Sequence, residues 1–304
     1  MPILKLIKSE TKIKFMKIKK LTLFISTILF IFSLFSVFFK GLNLGIDFTG
    51  GTLIEVRFNE NVDLNNLRTK MNKLNLGEIQ LQTIGNENDI VIRVQEKKNN
   101  EIKQTDTIEI IKNTLADKSV EYRRSEFVGP KVGGELVNAG IIAVIFSLLG
   151  ILMYIWLRFQ WNFALGAVIA LIHDVILTLG FFSIFYLEFN LATVAAVLTI
   201  AGYSINDTVV IYDRIRESMR KYKQIDFDEV INISLNGTLS RTLMTSLTTL
   251  LALAALFIFG GIVISSFIIA LIWGVLIGTY SSLYVASPIL TYLKSDYKKS
   301  EDGN

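Results

Sequence analysis

The run "LTLFISTILFIFSLFSVFF" (residues 21–39) holds nineteen residues without a charge or a proline. As an α-helix rising about 1.5 Å per residue, it nearly matches the ~30 Å hydrocarbon core of a bilayer. A secretory signal is the competing reading. The run is long for such a segment, and no small-x-small cleavage site follows it, so residues 21–39 read as a retained first membrane span. Working outward, further apolar runs of span length lie at about 136–157, 163–187, 189–212, 242–260 and 264–291. The whole-chain figures agree: 51% of the 304 residues are hydrophobic and the mean hydropathy is +0.48. The chain reads as an α-helical polytopic membrane protein with one span, a long polar insertion (40–134) and a five-span block (135–292).

Lysine and arginine in short flanking segments set orientation. Residues 1–20 carry seven of them, the 213–241 loop six and the 292–304 region three. The short loops "YLEFN" (186–190) and "FGGIVISS" (259–266) carry none. The basic start 1–20, the loop 213–241 and the tail 293–304 are therefore expected on the cytoplasmic side. The insertion holds fourteen such residues, but long translocated domains escape the rule, so it is placed outside. The absence of cysteine and the single histidine leave no disulfide framework, thiol nucleophile or metal centre to expect. No basic patch interleaved with aromatics points to nucleic acid.

The insertion reads as a small α/β domain. "TLIEVRF" (52–58) alternates with period two, "VDLNNLRTKMNKLNL" (62–76) is helical with Asp63 as N-cap, and "EIQLQTI" (78–84) and "DIVIRVQ" (89–95) form a hairpin across "GNEN". A second helix (100–118) and a last strand (120–128) complete β-α-β-β-α-β, the ferredoxin-like split βαβ order. Glycine pairs flank it, Gly50 and Gly51 in "TGG" and Gly133 and Gly134 in "VGG". No dinucleotide-type helix follows them, so they read as hinges or turns at the domain–membrane junctions. Within the membrane block, small residues recur every fourth position: Gly166, Ala170, Asp174 and Thr178, then Ala270, Gly274, Gly278, Ser282 and Ala286. Such stripes let helices approach closely in lipid.

Three groups interrupt the apolar runs. His173 and Asp174 lie mid-span, with Asp174 on the small-residue stripe. Ser204, Asn206 and Asp207 stand in "SIND", with Tyr203 one turn before Asp207 and Asp213 and Arg214 at the helix end. Arg241 opens the fifth span in "LSRTLMTSLTTLL". Ionisable groups at membrane depth are costly unless paired or hydrated, and they usually face a bundle interior. Burial disfavours the charged form of a carboxylate and a nearby guanidinium favours it. An arginine that approaches and leaves Asp207 would therefore couple proton binding to conformation. A static Asp207–Arg241 ion pair near the interface remains the alternative on the residues alone, as a packing role does for His173. No GxxxxGK[ST] loop supports ATP hydrolysis. "LIHD" and "SIND" lack the signatures of an intramembrane aspartyl protease.

"LNLGIDFTGGTLIEV" (42–56), "VGPKVGGEL" (128–136), "HDV" (173–175), "GYSINDTVVIYDRIRE" (202–217) and "SRTLMTS" (240–246) together resemble the SecD/SecF family, membrane subunits of bacterial protein export. The resemblance covers nearly the whole chain, short of the lysine-rich start and the last dozen residues. Over 60–118 it holds in pattern rather than sequence. It implies the resistance-nodulation-division (RND) superfamily fold, with these six spans pairing with six from SecD in the bacterial inner membrane. It also implies the SecYEG channel and accessory subunits such as YajC and YidC as partners, unfolded preprotein as cargo, and no cofactor beyond protons moved by the proton motive force. By motif, Asp207 is the implied proton carrier and Arg241 its conformational partner. A small-molecule RND exporter subunit and a structural stabiliser of the translocon are the rival functions.

Overall fold

The chain is described by a computed structural model over residues 11–59, 62–84, 86–95, 104–115, 120–261 and 264–293. The first ten residues of the basic start, Gly85 of the expected hairpin turn, the ends of the second expected helix (100–103 and 116–118) and the tail from 294 lie outside the described residues. The chain divides into two compact units, Leu44–Ala143 and the remainder.

A 3₁₀ turn (Phe15–Ile18) leads into α1 (Lys19–Lys40). After β1 (Asn43–Leu44) and the single-turn α2 (Ile46–Thr49) come β2 (Gly51–Phe58), α3 (Leu64–Asn72), β3 (Glu78–Ile84), β4 (Asn86–Gln95), α4 (Gln104–Leu115) and β5 (Val120–Val128). Then follow α5 (Pro130–Arg158), α6 (Trp161–Ile184), β6 (Glu188–Phe189), α7 (Leu191–Lys221), α8 (Phe227–Phe259), α9 (Ser265–Ser281), a π-helical turn (Ser282–Ala286) and α10 (Ser287–Leu293). Among the described residues, six helical stretches are long and apolar enough to cross a membrane, in the six expected places.

In the smaller unit β2, β3, β4 and β5 form one antiparallel sheet in the order β3-β4-β2-β5. This is the ferredoxin-like arrangement expected from the β-α-β-β-α-β order. Strand alternation sends Ile54, Val56, Phe58, Ile90, Ile92 and Val94 to one face, where Leu67, Met71, Ile111 and Leu115 from the helices close the core. Asp63 caps α3, accepting a hydrogen bond from the Asn65 backbone N–H at 2.9 Å. The hairpin is tighter than the sequence suggests, since β4 starts at Asn86 and pairs it with Ile84. On the other face, buried Asp89 accepts two bonds of 2.6 Å from Arg57. This hydrogen bonding raises the Arg57 pKa above its ordinary value. The two glycine pairs meet: a Cβ on Gly133 would lie 3.4 Å from the Gly50 backbone nitrogen and 3.5 Å from the Asp47 carbonyl oxygen. Gly51 has φ 115°, a left-handed conformation that favours glycine. Gly134 points into open space.

The membrane unit inverts the usual amphipathic logic. On α1 the buried residues are Thr22, Ser26, Ser33 and Ser36, while Phe24, Phe32, Phe35 and Phe38 face outward. Lipid offers no hydrophobic gain for burying phenylalanine, so small side chains that allow close contact line the helix seams. Ser36 and Ser183 hydroxyls meet at 2.9 Å, and Ser26 reaches Tyr280 at 2.9 Å. Both expected stripes are buried throughout, on α6 and along α9 into the π turn. Gly274 packs directly against Ile200 of α7, and Gly180 against Ser33 of α1.

The segment 213–241, expected as a loop, is helical over most of its length. α7 continues to Lys221 and α8 starts at Phe227, capped by Asp226, whose carboxylate accepts from the Asp228 N–H at 3.3 Å. Ile211 and Ile215, then Ile231, Leu235 and Leu239, continue a buried stripe at helical spacing. The chain's start is clasped to this extension. The Asn236 side chain accepts from the Ile13 N–H at 2.9 Å and donates to the Ile13 carbonyl at 2.8 Å. Asn232 accepts from the Met16 N–H at 3.0 Å, and Lys19 pairs with Asp228 at 2.5 Å. Phe15 and Met16 are buried in the membrane unit's main core cluster.

Overpacking a close seam destabilises by about 1–3 kcal/mol. Gly133→Leu is therefore expected to lower the smaller unit's unfolding free energy by that amount. Gly134→Ala, in open space on a helix, should raise it by up to about 1 kcal/mol. Thermal unfolding of the detergent-solubilised chain, followed by limited proteolysis of the smaller unit, measures both.

Candidate functional site

α7 carries the site because its two sides differ. One side holds Ser204, Asp207, Thr208, Ile211 and Tyr212, all buried. Gly202 and Asn206 lie exposed on the other. Tyr212 anchors the buried side, donating its hydroxyl to the Ala286 carbonyl at 2.9 Å and meeting Phe159 and Phe163 edge-on.

Two acids sit in this interior and their surroundings are opposite. Asp174 of α6 is fully buried and saturated with donors. Its Oδ2 accepts from Ser204 Oγ of α7 at 2.5 Å and from Ser281 Oγ of α9 at 2.6 Å, and its Oδ1 lies 2.9 Å from His173 Nδ1. His173 is itself buried, and its Nε2 has no protein partner. Asp207 is only 3% exposed, yet its Oδ2 has no protein hydrogen-bond partner. On α8 the buried Thr242 Oγ1 is also without one.

Arg241 stands beside Thr242 on α8, exposed on the surface of the chain. Its charge acts on Asp207 through space, but no ion pair joins them within 4.0 Å. The neighbouring seam is knitted by hydroxyls. The Tyr203 hydroxyl donates to Ser246 Oγ at 3.4 Å, and Ser246 meets Thr279 Oγ1 at 2.6 Å, joining α7, α8 and α9.

Of the residues singled out by sequence, the structure brings His173, Asp174 and Ser204 into direct contact and buries Asp207 one helical turn from Ser204. Tyr203 joins the hydroxyl seam. Asn206, expected as a supporting group, points away from these contacts onto the exposed face. Arg214 turns from Asp207 to Glu217 at 2.7 Å. Asp213 binds Arg158 of α5 at 2.5 Å and so ties two helix ends together. Sequence reading missed Ser281, Thr208 and Thr242. Thr208 Oγ1 meets Ser282 Oγ at 2.8 Å. The signal was present as a serine pair inside an apolar helix, where Ser282 registered only as a small residue of the packing stripe.

Comparison with known proteins gives concordant matches. Residues 107–296 match the model of the protein export membrane protein SecD/SecF, C-terminal, and residues 35–62 match the SecD/SecF GG motif. Protein translocase subunit SecF of Rickettsia rickettsii is 49% identical over 95% of this chain and 94% of its own length, and that of Rickettsia bellii is 48% identical over 95% of each. Among solved structures, SecDF of Thermus thermophilus, described as a translocon-associated membrane protein, superposes with a TM-score of 0.86 at 35% identity. That alignment covers 94% of this chain and 39% of the SecDF chain. A SecDF structure in a super-membrane-facing form gives 0.70 at 34% identity, with 96% and 40% covered.

The two-sided nature of α7 predicts opposite outcomes for two truncations. Tyr212→Ala should destabilise the solubilised chain by about 3–5 kcal/mol through the cavity it leaves. Asn206→Ala, on the exposed side, should stay within about 0.5 kcal/mol. Thermal unfolding in detergent separates them.

Proposed function

Because the chain belongs to the SecD/SecF family of protein export membrane proteins, we propose that it is the proton-coupled half of a translocation motor. With SecD, it uses the proton motive force to promote preprotein translocation and release on the outer face of the inner membrane. The observation that carries the reading is the unpartnered carboxylate oxygen of Asp207, buried beside a helix that bears Arg241.

A buried acceptor without a donor is an unstable arrangement in a low-dielectric interior. A proton satisfies it, and so does a guanidinium, but the two compete for the same oxygen. When a proton arrives from outside, Asp207 is neutral and Arg241 has no reason to approach. When the proton leaves toward the cytoplasm, the carboxylate draws Arg241 in, and α8 shifts against α7. Alternation between the two occupants makes helix position depend on proton flow. The shift passes to the smaller α/β unit through α1 and α5, the helices that flank it in the chain. The glycine pairs Gly50–Gly51 and Gly133–Gly134 lie inside that unit rather than at its borders, so it moves as one piece while it holds unfolded preprotein.

The exposed side of the site supports the partnership. Asn206 and Arg241 lie exposed on apolar helices, and α5 buries none of its apolar window. Polar side chains facing lipid are costly, so a protein surface suits them better. In this reading it is the membrane half of SecD, with the assembly beside the SecYEG channel and accessory subunits such as YajC and YidC. Both termini then face the cytoplasm, in accord with the distribution of lysine and arginine.

The test is preprotein export into inside-out inner-membrane vesicles containing the full assembly, with and without a proton gradient. Asp207→Asn is expected to assemble with its partners and to lose the gradient-dependent component of export, a drop of tenfold or more. Normal gradient-driven export by a stably assembled Asp207→Asn protein overturns the mechanism. Arg241→Lys, which keeps the charge but loses the planar fork, should fall between wild type and Asp207→Asn.

A further inference from the structure

We propose that Asp174 is a positioning residue for Asp207: an interhelical anchor that fixes the depth and rotation of α7 and so holds the proton site in register. This rests on the reading of Asp207 as the proton carrier.

The argument begins with what serine and threonine hydroxyls ordinarily do in an apolar helix, which is to donate to a carbonyl one turn back in their own helix. Thr178, Thr199 and Thr279 do this here, at 2.7–2.8 Å. Ser204 does not. Its hydroxyl crosses to another helix and donates to Asp174 at 2.5 Å. Ser281, within 3.1 Å of its own Gly278 carbonyl, also reaches Asp174, at 2.6 Å. One carboxylate thus binds α6, α7 and α9 at a single level.

The helices leave little room for slippage there. A Cβ on Gly278 would stand 3.0 Å from Ser204 Cβ, so α9 and α7 nearly touch at the anchor. Below it, Ser282 Oγ donates to the Ser204 carbonyl at 3.4 Å and meets Thr208 Oγ1 at 2.8 Å. Asp207 lies between these two fixed points, three residues after Ser204 and one before Thr208. Residues three apart share a helix face, so the bond at Ser204 sets where Asp207 sits. Asp207 takes no part in the ladder through its Oδ2, and that oxygen is left for exchangeable partners.

The groups around Asp174 suit a fixed role. From its own helix it meets His173. α7 and α9 contribute the hydroxyls of Ser204 and Ser281. α1 meets α6 through the uncharged Ser33 and Ser36. Among the described residues no lysine or arginine lies within ion-pair distance of Asp174. Around Asp207 the charged group is Arg241 of α8, with Tyr203 on its own helix.

The chain has no cysteine, so position 207 can be probed directly. In the full assembly in inner membranes, Asp207→Cys is expected to react slowly with a maleimide. Adding Asp174→Asn, or Ser204→Ala together with Ser281→Ala, should raise that rate tenfold or more. The serine pair leaves the carboxylate in place and serves where Asp174→Asn assembles poorly. In the Asp207 protein the same changes should move the pH midpoint of gradient-driven export by about one unit, which loss of general stability alone would not do. Unchanged labelling at position 207 and an unchanged pH profile in assembled Asp174→Asn protein overturn the proposal. Normal export by Asp207→Asn instead overturns the proton-carrier reading, and the labelling rates then decide the anchor by themselves.

Discussion

The constraint on which everything else depends is that a polar group inside a bilayer must be answered by the protein itself. Backbone groups meet it by forming helices. Side chains meet it one by one, and the ways they do so divide the membrane unit into parts. Most threonines answer to their own helix. Ser26, Ser36 and Thr208 answer to a neighbouring helix and thereby weld seams. Asp174 gathers a hydroxyl from each of two neighbouring helices and the imidazole of His173 from its own, and becomes a structural node. Asp207 is the carboxylate in this interior with an oxygen left unanswered, and that imbalance makes it the place where an outside agent can act.

This division separates two aspartates that look alike in composition. Both lie on spans, both are buried, and both have a polar residue beside them. Donor count separates them. A saturated carboxylate resists change because any movement breaks several bonds together. An unsatisfied one gains from change. In the mechanism proposed above, the first kind holds the frame and the second responds to the proton.

Much of the fold was readable because its signals are local. Twenty-residue apolar runs and period-two strands announce themselves, and "VDLNNLRTK" carries its own cap. The 213–241 segment was misread because its surface charges, Arg214, Arg216, Arg220 and Lys221, mask a buried stripe that continues at one residue in four. The site was readable in part. Asp207 and Arg241 stand out as charges near apolar runs, and Asp174 falls on a stripe of small residues. The side of α7 that Asn206 occupies was harder, since adjacent positions on a helix differ by about 100°. Which is inside depends on neighbours that only the packing supplies. Ser281 stands in the sequence as half of a serine pair, but its acceptor does not. A serine in an apolar helix looks like a small residue until its acceptor on another helix is known.

The clasp between Ile13 and Asn236 joins residues 223 positions apart in the chain. It cannot close until Asn236 has been made, after the first four spans and the whole α/β insertion. Phe15 waits longer still, since its ring meets Tyr284 of the π-helical turn with centroids 5.7 Å apart. The arrival of α8 therefore gives the first helix its lock, and α9 with the π-helical turn, made later, completes the bundle.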